Sequence, residues 1–515
     1  VVIEAALPTT RQSLVGALTN MTNARISVLS IMVFCGFAGC DDPDSNGSAD
    51  LTPAATADLA EPAAGGDMAQ TTVPPDMAKT GPFKRILFFV GDGMGLPIIT
   101  ATRIYAVGED GQLTMDTLPE SGFVHTYSND ALVTDSAPSM SAYMTGVKCN
   151  NEVLSMTPDT VYQGSNGAPV TTIMEAAKVA GWGTGVVTTT RVTHATPAAT
   201  YSHINDRDAE DTIAAQLAIG GAGFNNAMLD GLDVVLGGGR RHFLPPDVID
   251  GARTDKRNLV IQMGNKGYQV ANTKAALDGV DAAKTNKLVG LFTKSHMSYD
   301  ADRDPALEPS LAEMTAKAMD VLKKKGNYFL MVEGGRIDHA EHFSNVYRAI
   351  RDTVAFDNAI KTAIDKAKMD DPTLANTLII VTADHDHTLA LTGDAKRVGA
   401  TTASNPGILG FVRNISDGMP AVDSDNTPYT ILNFGNGESR VMGPRSMLTT
   451  LTETVSSGKD YHQEVAFHLT NSTMDAETHG GADVAIMAIG MKASQVHGFI
   501  DNTQVYSILR NAAGF

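Results

Sequence analysis

The stretch "KRILFFVGDGMG", Lys84 to Gly95, decides how the rest of the chain is read. Ile86 to Val90 are apolar without a break and stop at Gly-Asp-Gly. That is the pattern of a strand buried on both faces and ending in a polar turn. The same plan returns in "GWGTGVVTTTRVTHATPAA" (181–199), "DVVLGGGRR" (233–241), "NYFLMVEGGRIDHAEH" (327–342), "TLIIVTADHDHT" (377–388) and "GADVAIMAIG" (481–490). Helical patterns lie between, as in "LAEMTAKAMDVLKKK" (311–325) and "VYRAIRDTVAFDNAIKTAIDKA" (346–367). Alternating strand and helix predict an α/β fold, a three-layer α/β/α sandwich around a large, mostly parallel central sheet. Ligands of such sheets bind beyond the carboxyl ends of the strands. Asp92, Glu333, Asp338, Asp384 and His385 all stand just past such ends. One carboxylate there can simply cap the next helix, but five ligand-type residues after three strands point to a site.

Outside this region the chain changes character. From Met21, "MTNARISVLSIMVFCGFAGC" carries Arg25, then an apolar run from Ile26 to Ala38 too short to span a bilayer, which reads as an export signal. Phe37-Ala38-Gly39-Cys40 resembles the lipobox of bacterial lipoproteins, which predicts a lipid anchor on Cys40 and a place in the periplasm or cell envelope. An ordinary signal cleaved nearby is the alternative, and Met21 is the expected start. Residues 41–82 set eight acidic residues and six prolines against one lysine, with no aromatic, and predict a disordered tether. The folded domain is then 83–515, with insertions near 240–310 and 392–478 expected as loops and short elements around the site.

The formal charge of −19 and the lack of a basic stripe exclude nucleic acid as a partner. An acidic chain can still take an anionic substrate where bound cations reverse the local field. Of the three cysteines only Cys149 lies beyond the leader, so the folded part can form no internal disulfide, and Cys149 reads as a small buried hydrophobe.

"VTDSAPSMSAYMTG", Val133 to Gly146, permits two readings. Thr134, Asp135 and Ser136 suit a helix cap, with Pro138 in the first turn. Ser136 equally suits a nucleophile set where backbone N–H groups welcome an anion. Seven of the thirteen histidines fall in four short segments: His194 and His203, His339 and His342, His385 and His387, and His479. Asp338 and His342 share a helical face at a spacing of four. Nitrogen and carboxylate ligands without thiolates favour Zn²⁺, while the all-oxygen set Asp92, Thr196 and Glu333 suits Mg²⁺. A metal store that needs no serine is the competing reading of the same residues.

The ordered set of motifs resembles the alkaline phosphatases. Gly-Asp-Gly-Met-Gly at 91–95, Thr-Asp-Ser-Ala at 134–137 and Thr-Pro-Ala at 196–198 come first. Val-Glu-Gly with Ile-Asp and His at 332–342, Thr-Ala-Asp-His at 382–385 and the late His479 follow in the family's order. The resemblance implies that Ser136, beside Asp135, is the nucleophile for hydrolysis of small phosphate monoesters through a phosphoserine intermediate. It implies two Zn²⁺, one held by Asp338, His342 and His479 and one by Asp92, Asp384, His385 and Ser136, with Mg²⁺ on Asp92, Thr196 and Glu333. Arg207, in "INDRDAE", matches the arginine that grips phosphate, and its planar fork suits two phosphate oxygens. His194 and His339 stand at substrate-side positions where animal members carry histidine and the enteric bacterial type carries Asp and Lys. His387 matches a histidine expected in the outer shell of the second zinc. A homodimer is also implied.

Rivals exist within and outside this class. An arylsulfatase needs an arginine where "SAPSM" (136–140) has Met140. Phosphodiesters use the same metals and stay open. A silent metal- or phosphate-binding lipoprotein has no need of so complete a set, and a surface adhesin leaves no signature in the insertions.

Overall fold

A computed structural model describes residues 82–448, 450–469 and 476–515. The export signal, Cys40 and the tether lie outside the described residues, apart from Pro82. Fifteen strands occur among the described residues. In chain order they are β1 (Arg85–Gly91), β2 (Glu120–His125), β3 (Gly183–Arg191), β4 (Val234–Gly238) and β5 (Tyr268–Val270). Then come β6 (Lys287–Leu291), β7 (Tyr328–Gly334), β8 (Thr377–Ala383), β9 (Asp386–His387) and β10 (Leu389–Leu391). The last are β11 (Leu432–Gly437), β12 (Val465–His468), β13 (His479–Gly480), β14 (Val484–Gly490) and β15 (Gly498–Asp501).

The main sheet has ten strands in the order β15-β2-β14-β8-β1-β7-β3-β4-β6-β5. From β8 to β5 every pairing is parallel, and β14 runs against both β8 and β2. Ile86 to Val90 of β1 are fully buried, as an unbroken apolar run requires when helices cover both faces. One helical layer is Leu96–Val107, Leu311–Leu322 and Val346–Asp370, and the other is Ser136–Thr145, Ile173–Val179 and Asn502–Ala513. Ser310 and Glu313 close a capping box that starts Leu311–Leu322, and the Asn345 side chain caps Val346–Asp370. The α/β fold with a mostly parallel central sheet is therefore as the sequence predicts.

Two segments depart from expectation. Stretch 240–310 does more than rim the site, because β6 and β5 extend the main sheet at its edge. Stretch 392–478 contributes β11 and β12, which join β10 in a separate three-stranded sheet. Among the described residues no helix is long and apolar enough to cross a membrane.

Candidate active site

The polar ends of β1, β7 and β8 converge, and the turns after them are built to bring side chains close. Gly93 has φ +68°, and a Cβ there would stand 2.6 Å from the His387 imidazole, so only glycine fits. The Gly93 N–H donates to Asp384 Oδ1 at 3.0 Å, and the His385 N–H donates to the same oxygen at 3.0 Å. Two backbone donors thus fix one Asp384 oxygen and leave Oδ2 facing the cluster.

Ser136 is the first residue of its helix, 2 % exposed, with Oγ 3.4 Å from Asp92 Oδ1 and 3.3 Å from His385 Nε2. Asp135 is the cap: its Oδ1 accepts from the Ala137 N–H at 2.7 Å. The cap and the candidate nucleophile are therefore neighbouring residues. Asp135 Oδ1 also receives Arg207 Nη1 at 2.9 Å, while Arg207 Nη2 lies 3.1 Å from His194 Nε2. Burial works against the Arg207 charge, but the carboxylates of Asp135, Glu152 and Asp208 outweigh it and raise its pKa.

A second group surrounds Asp338 Oδ1. His387 Nε2 lies 2.8 Å from it, His342 Nε2 3.3 Å and His479 Nε2 3.5 Å. His479 reaches this place because β13 pairs with β9 antiparallel, setting His479 opposite His387. His479 also stacks on His385, with ring centroids 3.7 Å apart. Burial and the neighbouring His385 and His342 push the His479 pKa well below the ordinary imidazole value. That keeps the ring neutral, the form that binds metals. Asp338 is held well below the usual carboxylate range: burial opposes this, but His342, His387 and His479 outweigh it.

A third group joins Asp92, His194 and Glu333, whose ligand atoms all lie within 4.8 Å of one another. Glu333 Oε2 accepts from Thr188 and from Thr190 Oγ1, the latter at 3.0 Å. Burial, aided by the Asp384 charge, raises Glu333 to about 7 despite those hydrogen bonds. Asp92 is raised well above its ordinary value by burial and by Asp384, Asp338 and Glu333.

Buried oxygens are normally hydrogen-bonded. Here Asp92 Oδ2, Asp384 Oδ2, Glu333 Oε1 and Thr196 Oγ1 are buried without a hydrogen-bond donor. Four oxygens in that state, three of them on carboxylates that crowd one another, fit a site for cations. Three of the groups able to hold an ion share residues: Asp338, His385, His387 and His479; Asp92, Asp384 and His385; and Asp92, His194 and Glu333.

The comparisons decide the family. The alkaline phosphatase family profile matches residues 83–515. The alkaline phosphatase of Gadus morhua is 34% identical over 465 residues, covering 84% of this chain and 91% of its own. The tissue-nonspecific isozyme of Homo sapiens is 32% identical and covers 84% of each chain. The solved alkaline phosphatase of Thermus thermophilus superposes with a TM-score of 0.61 at 25% identity, covering 86% of this chain and 96% of its own. This chain belongs to the alkaline phosphatase family. It is a phosphomonoesterase of a metal-dependent group.

In this alkaline phosphatase family member, the structure brings most of the sequence-predicted site residues together. Asp92, Ser136, Asp384 and His385 come together, as do Asp338, His342 and His479. His194 and His339 are neighbours with ring centroids 5.4 Å apart. Thr196 sits on the short helix Ala195–Ala198, buried. His387 is placed differently from expectation: it bridges Asp338 Oδ1 and Glu477 Oε2, the latter at 2.5 Å, beside the His342 cluster. His203 is drawn away, bonded to Glu175 at 2.8 Å. Cys149 is buried and its thiol is pushed up to about 12 by burial, which makes it inert.

Two residues of the site escaped the sequence reading. Glu477 carries His387, and its carbonyl accepts from His342 Nδ1 at 2.5 Å. Its position two before His479 is the signal that could have found it. His296 packs on His339 with ring centroids 4.2 Å apart and on His194 at 5.4 Å, and nothing in "KSHMSYD" announces that.

Proposed function

We propose that the chain hydrolyses phosphate monoesters through a phosphoserine intermediate on Ser136, at a site that takes two Zn²⁺ and one Mg²⁺. The four buried oxygens without donors around Ser136 carry this reading. Asp338, His342 and His479 suit one zinc, and Asp92, Asp384, His385 and Ser136 the other. Asp92, Thr196 and Glu333 suit the magnesium, with His194 close enough to join them. When bound, these ions supply Lewis-acid stabilisation of the attacking and leaving oxygens.

The protein's own groups perform the rest. Ser136 Oγ attacks phosphorus and gives up its proton, the P–O bond to the leaving oxygen breaks, that oxygen takes a proton and departs as the alcohol, and the phosphoryl group rests on the serine. Water then attacks the same phosphorus, the bond to Oγ breaks, a proton from the water restores the hydroxyl, and inorganic phosphate is released. His385 Nε2 and Asp92 Oδ1 orient the hydroxyl, and the helix N-terminus behind Ser136 favours the negative charge at this point. Arg207 offers its fork to the non-bridging oxygens, and Asp135 holds that fork through Oδ1. His194, on Nη2 of Arg207, and His339 border the same space.

Export to the periplasm or cell envelope, a lipid anchor at Cys40 and a homodimer belong to the same proposal. The test is phosphate release from an aryl phosphate at alkaline pH, repeated after chelation and after returning Zn²⁺ and Mg²⁺. Activity lost with the metals and regained with both supports the reading. A fully loaded protein that ignores monoesters and cleaves diesters or sulfate esters would overturn it.

A further inference from the structure

Glu152 adopts a backbone conformation that side-chain-bearing residues rarely take, with φ +69°. It does so at the junction of the two loops that matter most for anion binding. Its N–H donates to Asp135 Oδ2 at 2.6 Å, and its carbonyl accepts the Arg207 N–H at 3.0 Å. The backbone of one residue therefore ties the cap of the nucleophile helix to the arginine loop. Strained residues held in place by their surroundings concentrate at functional sites. A glycine meets the backbone need at no cost, so the glutamate side chain is what requires a reason.

The side chain is half-buried and interacts with the Arg207 charge. The charged and titratable groups that act with it are Arg207, Asp135, Asp206, Asp208 and Tyr162. The Arg207 guanidinium thus feels the carboxylates of Asp135, Glu152, Asp208 and Asp92, and it bonds Asp135 at 2.9 Å. Such crowding opposes a second anion beside the same arginine.

We infer that the Glu152 carboxylate loosens the hold of Arg207 on an oxyanion, so that the product phosphate leaves readily. The inference rests on the reading above that Arg207 takes the phosphate. Burial, reinforced by Asp135, Asp208 and Asp206 and opposed by Arg207, lifts Glu152 to about 7. The carboxylate is then charged at the alkaline pH where release must be fast, and largely neutral in mild acid.

The experiment measures binding of sulfate and of inorganic phosphate by calorimetry to the metal-loaded full chain, alongside aryl phosphate hydrolysis. Wild type, Glu152→Gln and Glu152→Gly are compared. Sulfate stays a dianion across the range, so its affinity reports the protein's titration alone. Both variants are expected to bind sulfate about three- to tenfold tighter than wild type near pH 8.5, with the difference vanishing near pH 6. KM and the phosphate inhibition constant should fall together. Glu152→Gly suits the positive φ, so it keeps the test valid if the glutamine variant folds poorly. Affinities equal to wild type at every pH, or weaker, overturn the inference. Wild type that hydrolyses monoesters while the variants show no change sinks this inference alone. A loaded wild type that binds neither anion and cleaves no monoester sinks the functional reading and this one with it.

Discussion

Replacing Glu477 by glutamine separates charge from shape in the support of the candidate zinc site. Glu477 Oε2 receives His387 Nδ1 at 2.5 Å, and Oε1 receives the Thr388 N–H at 2.7 Å together with the Thr388 hydroxyl. His387 passes this on to Asp338 Oδ1 at 2.8 Å. Burial lowers the His387 pKa, but Glu477 and Asp338 overcome it and hold the ring well above its ordinary value. Glutamine can donate its amide to Nδ1, which keeps the Nε2–H toward Asp338 while the charge is gone. A hydrogen bond to a charged group contributes about 1.5–3 kcal/mol net. Losing an outer partner of a metal ligand weakens metal binding roughly 10–100-fold. Glu477 acts through His387, and its backbone contact to His342 survives the substitution, so the lower end applies: about tenfold, or about 1.4 kcal/mol. Zinc affinity is read by competition with a chromogenic chelator, and hydrolysis at limiting and at excess zinc. The variant should be inactive at limiting zinc and recover in excess. Zinc affinity within twofold of wild type, or activity that excess zinc fails to restore, would refute the reasoning.

Three further outcomes follow from other contacts. Ser136→Ala should abolish trapping of labelled phosphate on the peptide containing residue 136, with a loss of at least about 10³-fold in kcat, while in excess zinc the ion stays bound through Asp92, Asp384 and His385, as read by mass spectrometry. Gly93→Ala places a methyl group 2.6 Å from the His387 ring at a φ of +68°, so it should cost about 1–2 kcal/mol of backbone strain, lower Tm and weaken zinc binding together. Glu210 is buried, which raises its pKa, but Arg191, His242 and Thr193 outweigh this and hold it near 2 against an ordinary 4.5. Its contribution of about 3 kcal/mol is present above pH 4.5 and lost as pH falls toward 2. Glu210→Gln should therefore lower Tm near neutrality, and the gap from wild type should close through that window in thermal melts.

The sheet was legible because burial on both faces forces unbroken apolar runs, and Ile86 to Val90 or Leu378 to Val381 admit little else. The site was legible because its acids and imidazoles follow those runs directly. Strand direction was not: "VAIMAIG" in β14 is as apolar as its neighbours, and burial says nothing of the sense in which a strand is entered. Nor were β5 and β6 foreseen: β5 has only three residues, and in β6 Lys287 and Gly290 leave no more than two apolar residues in a row. Glu477 and His296 reach the site through contacts across 90 and 105 residues, to His387 and Arg191. No local pattern records such a partner. The backbone conformation of Glu152 was equally hidden, since its loop and not its side chain imposes it.

The place of β14 governs when this molecule can become active during its synthesis. β14 lies between β8 and β2, and among the described residues β2 pairs only with β14 and β15. A ribosome that has delivered residues up to 470 has made Asp92, Ser136, Arg207, Asp338 and His385, yet the β8 edge stands open and β2 has no neighbour. His479 arrives just ahead of the strand that closes the gap. The nascent chain therefore passes through a long interval with a bare sheet edge, the kind of surface that invites wrong pairing. Throughout that interval the candidate zinc site around Asp338 lacks His479, so that site is complete only once residues 479–490 are in place.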